Sequence, residues 1–384
     1  MKVAVLGYGT VGAGVYSMLS DAPGMEAGPV LVRPGTAGES FMGRDAALIL
    51  GEPTGDAVVQ TLGGLDPAYS YGMRTLETGK HFITANKAMV AAHGLELAAL
   101  ARETGAAFLF SAACGGGVPF LHNLALSAET DRIEAVSGIL NGTTNYMLDG
   151  MQRRGLSYGD ALREAQSLGY AESDPTADVS GLDALRKMQL ACAVAFGVLP
   201  QSGMLCEGME HFAAADVEDI QSRGLVCRLM ARGSRAGESV SAYVEPVLFP
   251  RAAPESSVFT NNNMARYTGK RCGSIVLMGQ GAGRFPTASA VLRDLAAAQQ
   301  GARSMFPENC RAAEADNREA VHSYYIRTGG FAAVRLPLRS VLAQGEVVRA
   351  VTEPMSAEKM HALAQNIRKD GNDLFFAALE EELC

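Results

Sequence analysis

The stretch Val5–Val15, "VLGYGTVGAGV", decides how the first third of the chain is read. Gly7, Gly9 and Gly12 stand there in G-x-G-x-x-G spacing, after the short apolar run "KVAVL" and before apolar residues at helical spacing. Strand, turn and helix in that order form the fingerprint of a dinucleotide-binding unit. The first glycine permits a tight turn and the second lets a pyrophosphate approach the backbone. The third lets helix pack on strand, with the helix N-terminus facing the anion. Gly7, Gly9 and Gly12, with Thr10 and Val11 between them, are therefore candidate cofactor contacts. A turn that is tight for purely structural reasons is the alternative.

Moving outward, "PVLVRP", "DAVVQTLGG", "KHFITANK" and "AAFLFSAACGGG" supply further strand-like runs separated by helical ones. Such alternation over about 120 residues predicts an α/β fold with a Rossmann-type, doubly wound parallel sheet. After Gly117 the texture changes: "RIEAVSGIL", "GESVSAYVEPVLFP" and "GSIVLMGQGAG" read as strands of a second, α+β domain with an antiparallel sheet. "SYGDALREAQSLGY" and "PTASAVLRDLAAAQQ" read as helices, the latter with Pro286 at its start. The second strand ends near Arg33, with no acid before Glu39. An acid there would bind the ribose 2′-hydroxyl of NAD, whereas an arginine favours the 2′-phosphate of NADP. Arg33 thus points to NADP over NAD, unless it is simply a surface charge.

Composition narrows the field of partners. The 384 residues carry a net charge of −8 with no run of Lys or Arg, which excludes nucleic acid and anionic membrane as natural partners. Hydrophobic residues make up 48% and charged residues 19%, as in a soluble protein with ample core. Seven cysteines lie scattered without CxxC pairs, which suits buried thiols in a reducing compartment. The N-terminus reaches glycine too early for a signal-peptide core, and the longest apolar run, Met188–Leu199, is too short for a membrane span. A cytoplasmic protein is expected. No histidine clusters with carboxylates, so a catalytic zinc is not expected.

The densest chemistry lies in "AESDPTADVSGLDALRK", Ala171–Lys187, where Glu172, Asp174, Asp178 and Asp183 lead into an apolar helix. If that helix starts near Ser180, Asp183 and Lys187 are four apart and share one face. They could then meet a substrate together. Alternatively Asp174 caps a helix with Pro175 in its first turn, and Asp183–Lys187 is an ordinary surface pair.

Taken together, "GILNGTTNYML", "LGYAESDPTADVSGLDALRK", "TANKAMVAAHG", "SAACGGGVP" and "GQGAGRFPTASAVLRDL" resemble homoserine dehydrogenases, in that family's order, over residues 1 to about 300. The resemblance implies an NAD(P)-dependent oxidoreductase of the aspartate pathway, interconverting L-homoserine and L-aspartate 4-semialdehyde on the way to threonine and methionine. It implies that Lys187 is the acid/base and Lys87 a second active-site lysine. Glu172 and Asp183, with Asp178, would hold the substrate's amino group, and Gly142 and Thr143 would line its turn. Gly281 and Gly283 would lie near the cofactor, as would Lys87. A small-molecule substrate and a homodimer or homotetramer, joined through the antiparallel region, are also implied. Residues 1–120, with about 275–300 returning, would form the dinucleotide-binding domain, and 121–274 the catalytic and dimerisation domain.

Two departures from the family pattern matter. Its members often hold a monovalent cation such as sodium through carbonyls that match Cys114, Gly116 and Val118, plus an acid where this chain has Ser111. Without that acid the cation site is weakened, and Cys114 reads as a buried residue rather than a nucleophile. Residues 305–384 contain strand-like "SYYIR", helical "SAEKMHALAQNIRK" and strand-like "DLFFAAL", compatible with a reduced amino-acid-binding domain of the ACT type. The acid-x-Pro-Gly turn of such domains is missing, so a packing or assembly role is expected in place of feedback control. Two rival readings remain at this point: a dehydrogenase for another small amino-acid aldehyde, and a nicotinamide-binding sensor that has lost catalysis.

Overall fold

The computed structural model describes residues 1–33, 42, 43, 45–51, 55–333 and 335–380. Glu39 lies outside the described residues. The chain divides into two compact units, each assembled from three segments. The first contains residues 1–133, 189–199 and 279–311; the second contains 134–188, 200–278 and 312–384.

The first unit is built on a six-stranded parallel sheet: β1 (Lys2–Leu6), β2 (Glu26–Leu31), β3 (Met42–Gly43), β4 (Ala57–Gln60), β5 (His81–Thr84) and β6 (Phe108–Leu109). Their spatial order is β3-β2-β1-β4-β5-β6, and every pairing between neighbours is parallel. This is the doubly wound order, in which the chain reverses direction between β1 and β4 and opens a crevice beyond their carboxyl ends. Burial explains the composition of these strands. Val3, Val5 and Leu6 are fully buried, as are Val59, Phe82 and Ile83, because helices cover both faces of a parallel sheet. Helix α1 (Thr10–Leu19) follows β1 directly, and α2 (Lys87–Thr104) follows β5 with Asn86 as its N-cap, accepting from the Met89 amide.

The second unit carries a mixed, mainly antiparallel sheet. Its strands are β7 (Ile133–Ile139), β8 (Leu225–Ala236), β9 (Ser239–Pro250), β10 (Asn262–Gly269) and β11 (Gly273–Gln280). They continue with β12 (Tyr324–Gly329), β13 (Leu338–Ala343), β14 (Val347–Thr352) and β15 (Leu374–Leu379). The order runs β11-β10-β7-β8-β9-β15-β12-β14-β13, with the short strand Leu205–Cys206 added beside β9. β8 and β9 form a long hairpin paired from Leu225↔Pro250 to Ala236↔Ser239. The helices used below are α3 (Gly142–Arg154), α4 (Leu182–Phe196), α5 (Arg284–Gln299) and α6 (Ala357–Lys369).

Residues 324–379 follow the path strand, short helix, strand, strand, helix, strand. Their strand order β15-β12-β14-β13 is the split βαβ arrangement of ferredoxin-like domains. This segment is not set apart from the rest of its unit. β15 pairs in parallel with β9 through Val247↔Ala378 and Leu248↔Leu379. One core contains Ile139, Met230, Val247 and Phe249 together with Tyr324, Ile326, Leu374 and Phe376. Among the described residues, no helix is long and apolar enough to cross a membrane.

Candidate active site

The first cluster forms where α3 and α4 begin. Asn141 caps α3: its side-chain oxygen accepts from the Thr144 amide at 2.8 Å and the Thr144 hydroxyl at 3.0 Å. Gly142 follows because space is short; a Cβ there would stand 2.8 Å from the Asn261 carbonyl oxygen. The Thr143 hydroxyl shares its single proton between the Tyr170 carbonyl at 2.6 Å and, more weakly, Asp178 Oδ2 at 3.1 Å. On α4, Asp183 and Lys187 pair at 2.7 Å across one turn, each side chain only 12% exposed. Lys187 Nζ also donates to the Leu140 carbonyl at 2.6 Å. The pair is therefore largely withdrawn from water and is not the ordinary surface pair that spacing alone allowed.

Asp178 and Asp183 are joined through Asn141. Its amide nitrogen donates to Asp178 Oδ1 at 2.7 Å and to Asp183 Oδ2 at 2.9 Å. Two carboxylates, one ammonium, a hydroxyl and an amide thus share one connected network. Asp174 stands apart from it, accepting from the Thr176 amide and hydroxyl; those bonds hold its carboxyl below the usual range. Glu172 is exposed, and its backbone carbonyl accepts from Gln166.

In the first unit the fingerprint turn is tight where it has to be. Gly7 has φ +103°, and a Cβ on Gly12 would fall 2.0 Å from the Gly7 carbonyl oxygen, so only glycine lets α1 start there. Around Gly9, by contrast, nothing among the described residues lies within 4 Å of where a Cβ would stand, and none of their side chains caps α1. The open approach to Gly9 and the uncapped helix N-terminus fit a pyrophosphate. Arg33 is exposed just past β2, and Lys87 is the first residue of α2.

The "SAACGGGVP" loop packs onto the turn before α5. A Cβ on Gly116, at φ +52°, would come within 2.5 Å of the Gly281 backbone, and the Gly117 amide donates to the Gln280 carbonyl at 3.0 Å. The Ser111 amide donates to Asp294 Oδ2 at 2.8 Å. Asp294 is 1% exposed, and burial pushes its carboxyl up to about 7 against the opposing pull of the Ser111 bonds. Cys114 is fully buried. The Val118 carbonyl accepts from the Phe120 amide, and Ser111 brings no charge, so the loop offers a cation only dipoles. Among the described residues no cluster of three or more His, Cys, Asp or Glu side chains is suited to a metal ion.

A family model described as "Homoserine dehydrogenase" matches residues 119–296, which contain this network and the loop before α5. The homoserine dehydrogenase of Corynebacterium glutamicum is 37% identical over 317 residues, 77% of this chain and 71% of the relative. That of Synechocystis is 36% identical over 313 residues, 77% and 72% of the two chains. The chain belongs to the homoserine dehydrogenase family. The crystal structure of the Thiobacillus denitrificans homoserine dehydrogenase superposes with a TM-score of 0.88 at 28% identity, covering 99% of this chain and 98% of that one. The S. aureus homoserine dehydrogenase at pH 8.5 gives 0.77 at 26% identity, with 99% of each chain covered. For a homoserine dehydrogenase chain, the solved structures cover residues 324–379 as well, beyond the reach of the sequence resemblance.

Of the expected substrate-site residues, Thr143, Asp178, Asp183 and Lys187 meet in one network, and Gly142 directly follows the Asn141 that links them. Glu172 is not drawn into a side-chain bond with them among the described residues. Sequence reasoning missed Asn141 and Tyr170. Asn141 did carry a visible signal, since Asn directly ahead of "GTTNYML" is a helix N-cap pattern.

Proposed function

We propose that this chain catalyses reversible hydride transfer between L-homoserine and L-aspartate 4-semialdehyde with a nicotinamide cofactor. The observation that carries this reading is the Lys187–Asp183 pair, largely buried and tied to Asp178. It sets an ammonium proton donor beside carboxylates that suit a zwitterionic substrate. The nicotinamide, held by the Gly7–Gly12 turn, would supply or accept the hydride at C4 of the substrate. In aldehyde reduction, negative charge gathers on the C4 oxygen and Lys187 Nζ gives it a proton; in oxidation the same nitrogen takes the hydroxyl proton. Asp183, 2.7 Å away, keeps the Lys187 nitrogen in place for both directions, the ammonium giving the proton in reduction and the neutral amine taking it in oxidation. Asp178 and Asp183, with Glu172 from the exposed loop, receive the substrate's ammonium, and Lys87 acts as a second cation near the reacting oxygen.

Gly7, Gly9, Thr10, Val11 and Gly12 take the pyrophosphate, with Gly281, Gly283 and Lys87 as further cofactor contacts. Arg33 tilts the choice toward NADP by offering a guanidinium to the 2′-phosphate. Carbonyls of Cys114, Gly116 and Val118 would hold sodium only weakly, since dipoles without an anion are the whole ligand set. The protein would work in the cytoplasm as a homodimer or homotetramer joined through the antiparallel sheet.

The deciding experiment follows the absorbance of reduced nicotinamide as purified protein meets homoserine with NADP or NAD, beside a panel of other hydroxy and amino acids. Turnover on homoserine, faster with NADP, is expected. Turnover on another acid with none on homoserine would overturn the substrate assignment, and cofactor binding without turnover on any acid would overturn catalysis.

A further inference from the structure

Asn141 is 4% exposed, and its amide group is fully engaged. The oxygen takes the Thr144 amide and hydroxyl, while the nitrogen gives to Asp178 Oδ1 and to Asp183 Oδ2. This also fixes the amide's orientation. Capping α3 requires the oxygen to face Thr144, so the two N–H bonds must face the acids. Asp183 Oδ2 receives Asn141 and Lys187 together, whereas Asp178 Oδ2 receives the Thr143 hydroxyl.

We propose that Asn141 is the positioning residue of the substrate-ammonium site, resting on the homoserine dehydrogenase reading above. Two carboxylates brought this close repel each other, and something must hold them. An arginine or lysine in that place would hold them but would also cancel the negative charge that attracts the substrate. A carboxamide has one proton for each acid and adds no charge. Asp178, Asp183 and Lys187 then sum to one negative charge, which matches one incoming ammonium. Asn141 thereby couples the cap of α3 to the spacing of the acids, and through Asp183 to the bearing of Lys187.

Asn141→Ser tests this. Serine keeps an N-cap oxygen for Thr144 but has a single proton and a shorter reach, so it cannot bridge both acids. The expected result is a homoserine KM raised about ten-fold or more with cofactor KM close to wild type. The thermal midpoint should fall, since the two acids lose their shared donor, so kinetics are read below it, where an unchanged cofactor KM reports a folded variant. Because Asn141 acts through the acids, Asp178→Asn and the double variant Asn141→Ser/Asp178→Asn complete a cycle. The double variant should be no worse in homoserine KM than the poorer single one. An unchanged homoserine KM, cofactor and homoserine KM rising in parallel, or strictly additive effects would each overturn the positioning role while leaving the homoserine reading intact. Wild-type protein inactive on homoserine would overturn that reading, and this inference with it.

Discussion

Lys187 is held by two oxygens of different kinds, a carboxylate at 2.7 Å and a backbone carbonyl at 2.6 Å. Together the two contacts fix where its nitrogen sits. Replacing Lys187 with alanine removes the proton donor without touching the fingerprint turn. Turnover should fall by roughly 10²-fold or more, with cofactor affinity kept, as read by steady-state kinetics and cofactor titration. Near-normal turnover would remove Lys187 from the chemistry. Asp294 is a residue of another kind, a carboxyl buried against the Ser111 amide and pushed up to about 7 from an ordinary 3.8. A raised folded value means the native state binds the proton more tightly than the unfolded chain does. The stabilisation is therefore fully present below about pH 4 and is lost as pH rises through 7. Asp294→Asn keeps the acceptor for Ser111 and abolishes the titration. Between pH 5 and 8, denaturant midpoints should fall more steeply with pH in wild type than in the variant; parallel curves would show that Asp294 does not titrate there.

At the scale of elements, the turn between β1 and α1 separates packing from binding. Gly12→Ala would force a methyl group onto the Gly7 carbonyl, so α1 must shift; both cofactor affinity and thermal midpoint should drop. Gly9→Ala meets no atom of the described residues within 4 Å, so the fold should stand while cofactor affinity falls by about ten-fold or more. Equal effects in the two variants, by cofactor titration and thermal unfolding, would refute the division. These elements were legible in the chain because their signals are local: three glycines within six positions, or an acid and a lysine four apart on a helix. The Asn141 bridge was not legible, since its acceptors lie 37 and 42 residues away and adjacent sequence shows only a cap. The parallel pairing of β9 with β15 was hidden for the same reason. Residues 247 and 378 meet there with nothing in either strand naming its partner.

For the molecule as a whole, that pairing changes what residues 324–379 can be. Read as sequence, they were compatible with a reduced ACT-type domain, with a packing or assembly role expected. In the fold, β15 lies between β9 and β12, and Leu374, Phe376 and Ala378 are buried in the same core as Val247 and Phe249. Burying a Leu and a Phe side chain contributes about 1.5–3 kcal/mol each, a large share of a domain's net stability. A chain cut after residue 373 should therefore lose cooperative unfolding and solubility, checked by circular dichroism against urea. A truncated protein that keeps a sharp transition would show the segment to be detachable after all.

The placement of β15 also bears on how the protein is made. A ribosome delivers β9 more than a hundred residues before the strand that must lie beside it. Until residue 379 emerges, β9 around Val247 and Leu248 lacks its parallel neighbour, Leu205–Cys206 covering only Tyr243 and Val244 on that edge, and a nascent chain halted earlier leaves this short stretch of backbone open. Slow or interrupted translation past β9 therefore lengthens the interval in which that stretch lies uncovered.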